Sequence, residues 1–178
     1  MLSYVALLRG INVGGNRLLP MKDLAAMLAQ CGCTGVQTYI QSGNAVFRSD
    51  RNGPEIAADF QSRCLEAKGF APQTLIHSLS DHETIIRANP FPEAESTPKA
   101  LHVFFLLAPP GKVDQIAMKA ACNPTERFHL TVAALYLHAP DKLTDSFLAL
   151  KMAKIINVPM TARNWNTAAK LLEMAKAL

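Results

Sequence analysis

The chain has 178 residues, of which 49% are hydrophobic and 18% charged, with a net charge of +4 at pH 7. That length suits one full-sized domain or two small ones, and the apolar content supplies a substantial core. No apolar run reaches membrane-spanning length, the short apolar start lacks a signal-peptide cleavage site, and the four cysteines follow no disulfide spacing, so a reduced, cytoplasmic protein is expected.

Residues 3–9, SYVALLR, read as a strand apolar on both faces and therefore covered on both sides. The stretch RGINVGGNR follows. Asn12, Gly14, Gly15 and Asn16 tolerate positive φ, so the backbone can turn sharply there and expose N–H groups. A helix of about Pro20 to Cys31 comes next, with Leu24, Met27, Leu28 and Cys31 on one stripe and Gly32 as its stop. Residues 36–48 read as a hairpin turning at Ser42-Gly43-Asn44. A second helix starts at Pro54, buries Ile56, Phe60, Cys64 and Ala67, and stops at Gly69. Residues 73–79 form a strand, and the capping box Ser80-Asp81-His82-Glu83 opens a short helix.

Residues 90–99, PFPEAESTPK, read as a linker because they are polar and carry Pro90, Pro92 and Pro98. The pattern then recurs. Residues 101–108 form a strand, and a helix follows with Val113, Ile116, Ala117 and Ala120 on one stripe. Residues 127–139 form a hairpin. Thr144 caps a helix carrying Leu148, Met152 and Ile155, which Asn157 can end in the left-handed conformation. Val158 to Thr161 form a last strand, and a final helix buries Ala168, Leu171, Leu172, Ala175 and Leu178.

The expected fold is therefore α+β, a tandem duplication of ferredoxin-like βαββαβ units with an added C-terminal helix. Residues 1–89 make the first subdomain, 90–99 the linker, and 100–178 the second subdomain with its extra helix. The sheet faces away from the helices need a cover. The sister sheet in the same chain is the simplest one, and a homodimer is the alternative, so the chain is expected to be a monomer or a homodimer.

Few residues promise chemistry. Cys31-Gly32-Cys33 resembles half a zinc site, but no second pair completes it, and Cys31 lies on an apolar stripe. No metal and no cofactor is expected. The glycine loop has neither dinucleotide nor P-loop spacing, and no residue can be named as catalytic. The charge is more informative. Residues 1–49 hold Arg9, Arg17, Lys22 and Arg48 against the single acid Asp23, and residues 146–172 hold four cations and no acid. Arg163 and Asn164 stand near the start of the last helix. A small phosphate- or carboxylate-bearing ligand is thus expected at Arg9, Asn12, Gly14, Gly15, Asn16, Arg17, Arg163 and Asn164, with Arg9 and Arg163 lining one cleft. Nucleic acid is a disfavoured partner, because the strand NAVFRS offers one aromatic where an RNA-binding module stacks several. A protein-interaction module without a small ligand is the remaining alternative.

The stretches LLRGINVGGNR, TYIQSGNAVF, NPF and TARNWNT, in this order and spacing, resemble the bacterial family known as domain of unknown function 1697. The resemblance spans about residues 4–175. It implies a tandem α+β fold and a bacterial protein whose activity is not characterised. It carries over no site residue.

Overall fold

A computed structural model describes all residues, 1–178. The element sequence β-α-β-β-α-β occurs twice. In the first pass β1 is Leu2–Leu8, α1 Met21–Gln30, β2 Thr34–Tyr39, β3 Asn44–Ser49, α2 Gly53–Lys68 and β4 Thr74–Ser78. Helix α3, Leu79–Arg87, follows. In the second pass β5 is Leu101–Leu106, α4 Gln115–Ala121, β6 Arg127–Leu130, β7 Ala134–His138, α5 Phe147–Ile156 and β8 Met160–Asn164, and α6, Trp165–Lys176, closes the chain. The chain divides into two compact units, Met1–Ile86 together with Ala169–Leu178, and Arg87–Ala168.

The first unit carries a four-stranded antiparallel sheet in the order β2-β3-β1-β4. Each helix returns the chain across the sheet, so α1 and α2 share one face. Leu24, Met27 and Leu28 of α1 and Ile56, Phe60 and Cys64 of α2 pack there on Tyr4, Ala6, Leu8, Ala45 and Phe47. The opposite face is also dry: Val5, Leu7 and Val46 are fully buried. An unbroken apolar run such as VALL has no polar side to offer water, so burial on both faces follows from its composition.

The second unit repeats the order as β6-β7-β5-β8, again antiparallel. Phe104, Leu106, Leu135, Leu137 and Met160 pack with Met118 of α4 and Leu148, Met152 and Ile156 of α5. On the other face Leu101, Val103, Phe105 and Tyr136 are fully buried.

Local chemistry sets most of the ends. Gly32 takes φ +83, and the Cys33 N–H reaches back to the Leu28 carbonyl, closing α1. Asn52 caps α2 by accepting from the Glu55 N–H, and Gly69 ends it at φ +76. Asn157 ends α5 at φ +55, as its side chain permits.

Several elements differ from the sequence reading. Asn44 is not a turn residue. It begins β3, is buried, and donates to the Tyr39 carbonyl and Ser42 Oγ, while Ile40 and Gly43 carry the positive φ of the turn. The box that opens α3 starts at Ser78, two residues earlier than expected, with Ser78 Oγ accepting from the Asp81 N–H. Ser146, not Thr144, caps α5, because Leu143–Asp145 form a 3-10 turn first. Helix α4 is rotated from its expected stripe. Met118 and Ala121 are its buried residues and Ile116 is 82% exposed, since Asp114 starts the helix by accepting from the Ile116 and Ala117 N–H groups. On α2, Ala67 is exposed. The last strand runs to Asn164 rather than Thr161, so Arg163 and Asn164 are strand residues.

Candidate functional site

Strand β1 delivers Arg9 to a defined place. Beyond Leu8 the pairing continues for one more step on each side, with the Leu8 N–H donating to the Gly43 carbonyl at 2.8 Å and the Arg9 N–H to the Gln73 carbonyl at 2.9 Å. Arg9 is thereby fixed opposite the residue that precedes β4. After Gly10 the chain forms a miniature hairpin. The Asn12 N–H donates to the Arg17 carbonyl and the Asn16 N–H to the Val13 carbonyl. Gly14 and Gly15 make the tip with φ +58 and +78, the two positive values that a type I′ turn needs. Asn12 anchors the loop from inside. Its amide nitrogen donates to the carbonyls of Leu19 and Gln41, and its amide oxygen accepts from the Leu19 N–H. The Asn12 and Asn16 N–H groups therefore close the hairpin rather than pointing outward as a cradle.

The cations of this loop open onto a cleft of about 410 Å³ lined by Arg9, Gly10, Arg17, Ala71 and Gln73. Arg9 Nη1 donates to Gln73 Oε1 at 2.6 Å. Arg17 sits beside Gly10, where a built Cβ would lie 3.8 Å from its Nη1. No acidic side chain lines the cleft. The acids nearest to these arginines in sequence are engaged elsewhere, Asp23 with Lys68 at 2.6 Å and Asp50 with the Met1 amino group at 2.8 Å. A larger cleft of about 500 Å³ in the second unit mixes Lys119 and Arg127 with Glu126, so its charge has no single sign.

Arg163 and Asn164 have local duties on β8. The Arg163 guanidinium is buried, and its Nη1 donates to Thr161 Oγ1 and to the Ala162 carbonyl. Burial pulls its pKa down to about 10. Asn164 caps α6 by accepting from the Thr167 N–H. Trp165 is buried. Sequence reasoning missed Gln73. The signal that could have found it is pairing: a residue just before β4 must lie opposite the end of β1 once the two strands run antiparallel.

The protein-family model described as "protein of unknown function (DUF1697)" matches residues 1–136. The chain belongs to that family. The DUF1697 fold is seen again in the structure of the conserved bacterial protein SP0830 from Streptococcus pneumoniae, with 24% sequence identity, 98% of each chain covered and a TM-score of 0.70. No curated protein matches. Two of the stretches that carry the DUF1697 resemblance meet in the first unit, where Asn12 of RGINVGGNR holds the Gln41 carbonyl of TYIQSGN. The stretch NPF lies in the second unit, where Asn89 accepts from the Phe91 N–H and Phe91 is buried. No helix of this DUF1697 chain is long and apolar enough to cross a membrane.

Proposed function

We propose that this protein binds a small phosphate- or carboxylate-bearing molecule in the cleft between Arg9 and Arg17. One observation carries the reading: two guanidinium groups share a concave site whose lining contains no carboxylate. Guanidinium is planar and grips an anion through two parallel N–H donors, and Arg9 is held in place by Gln73. The glycine hairpin shapes the wall and carries Arg17, with Gly14, Gly15 and Asn16 at its exposed tip. The lining side chains supply charge and donors but no group that takes up a proton near neutrality, so the reading is one of binding, with no reaction assigned. Each half of the chain is read as a ferredoxin-like unit, on the strength of its strand order and antiparallel pairing. Four free thiols fit a cytoplasmic setting.

A nucleic-acid role is weaker on the same structure. Phe47 of NAVFRS is fully buried and stacks on Tyr4 at 5.7 Å, so it is not a platform for a base. The test is thermal stability against a panel of phosphate, sulfate, acetate and citrate. Saturation at about 100 times Kd stabilises the fold by about 2.7 kcal/mol, a rise of several degrees. The reading expects that rise in the parent and its loss in Arg17→Ala. An equal rise in Arg9→Ala/Arg17→Ala, or no rise with any anion, would overturn it.

A further inference from the structure

We infer that the Arg9–Arg17 cleft selects a phosphoryl dianion, the head of a phosphate monoester, over phosphodiesters and carboxylates. The inference rests on the anion-binding reading above and narrows it to a ligand class. Its basis is the hydrogen-bonding inventory of the lining. Arg9 and Arg17 carry N–H donors and no acceptor. Gln73 has one acceptor atom, Oε1, and Arg9 Nη1 donates to it at 2.6 Å, taking one of its two lone pairs. A guanidinium nitrogen can only donate, so the amide oxygen must face it, which leaves the Gln73 NH₂ to donate outward. Gly10 and Ala71 add no side-chain polar group. The side chains of the cleft therefore offer a large excess of donors with two positive charges, against one remaining lone pair on Gln73 Oε1.

A ligand matches such a site when it presents acceptors alone and two negative charges. A terminal phosphate in its dianionic form does so, with three unprotonated oxygens. A phosphodiester carries one charge and two free oxygens. A carboxylate also carries one charge, and its two oxygens satisfy one guanidinium. A singly protonated phosphate also carries one charge, and protonation turns one of its acceptor oxygens into a P–O–H donor in a lining dominated by donors. Each mismatch leaves a guanidinium without an anionic partner, which costs a charged hydrogen bond.

The test is calorimetric titration of the full chain with methyl phosphate, dimethyl phosphate, acetate and sulfate at pH 8 and pH 5. At pH 8 methyl phosphate should bind at least about tenfold more tightly than dimethyl phosphate or acetate, about 1.4 kcal/mol. Lowering the pH to 5 protonates methyl phosphate, whose second pKa is about 6, and should weaken it by a similar factor while sulfate holds. Gln73→Glu replaces the donor with a negative charge at an exposed position and should abolish methyl phosphate binding in a protein that melts as the parent does. Equal affinity for dimethyl phosphate or acetate, lost in Arg17→Ala, would overturn the selectivity and leave anion binding standing. No binding of any probe would overturn both.

Discussion

Gly43 shows how narrowly a single residue can be specified. It takes φ +79, and a Cβ there would lie 2.8 Å from both Leu8 Cβ and Ile11 Cδ1. Left-handed backbone and overpacking both oppose a side chain, so Gly43→Ala should lose about 2–4 kcal/mol in denaturant unfolding. Gly15 has nearly the same φ, +78, but nothing within 4 Å of its built Cβ. Gly15→Ala should lose only about 1–2 kcal/mol, the cost of conformation alone. Equal losses at the two positions would show that the Gly43 contacts do not matter. His77 supplies a second test at this scale. Burial, and then the charge of neighbouring His82, lower its pKa from 6.5 to about 4. The folded state thus resists protonation, whereas the unfolded chain takes up a proton below about 6.5. Between pH 6.5 and 4 the unfolded state binds more protons, so stability falls as pH falls through that window. The melting temperature should drop between pH 7 and 4.5, and His77→Gln should make the drop shallower. A variant with the parent's pH profile would contradict this.

At the scale of elements, the expected helices and strands were legible wherever punctuation was local. Gly32, Gly69 and Asn157 end their helices in the left-handed conformation that their chemistry allows. What failed to show was set by distant partners. Strand β8 extends to Asn164 because it pairs with β5 from Met160–Leu106 to Asn164–His102, and no local pattern in TARN announces that register. The start of α5 slipped for a related reason. Thr144 and Ser146 are both good caps by type, and only the 3-10 turn at Leu143–Asp145 decides between them. Ser146→Ala should therefore cost about 1 kcal/mol, while Thr144→Ala should be near neutral. The reverse ranking would restore the sequence-based start. The apolar runs made a firmer statement. Phe105 is on the sheet face away from α4 and α5 and is fully buried. Phe105→Ala should cost about 3–5 kcal/mol, and a loss below about 1 kcal/mol would mean that face is wet.

Across the whole molecule, the double β-α-β-β-α-β order was readable because turn and capping residues separate strand-like and helix-like stretches in the same order on both sides of the proline-rich segment 90–99. The proposed site was readable only in part. Arg9 and Arg17 stood out as cations in an acid-poor stretch, but Gln73 lies far from them in sequence and joins them only through the β1–β4 pairing. The loop's N–H groups read in the sequence as an anion cradle, yet the hairpin consumes those of Asn12 and Asn16, which leaves the guanidinium groups as the proposed binding elements. Arg163 lies in an acid-free stretch of sequence, but on β8 its guanidinium donates to the Thr161 hydroxyl and the Ala162 carbonyl. The most direct measurement of the central claim is an amide NMR titration of the protein with inorganic phosphate. Saturable shifts should appear at Gly10, Arg17 and Gln73 and vanish in Arg9→Ala/Arg17→Ala. Shifts confined to other residues, or none at millimolar phosphate, would contradict a binding site in this cleft.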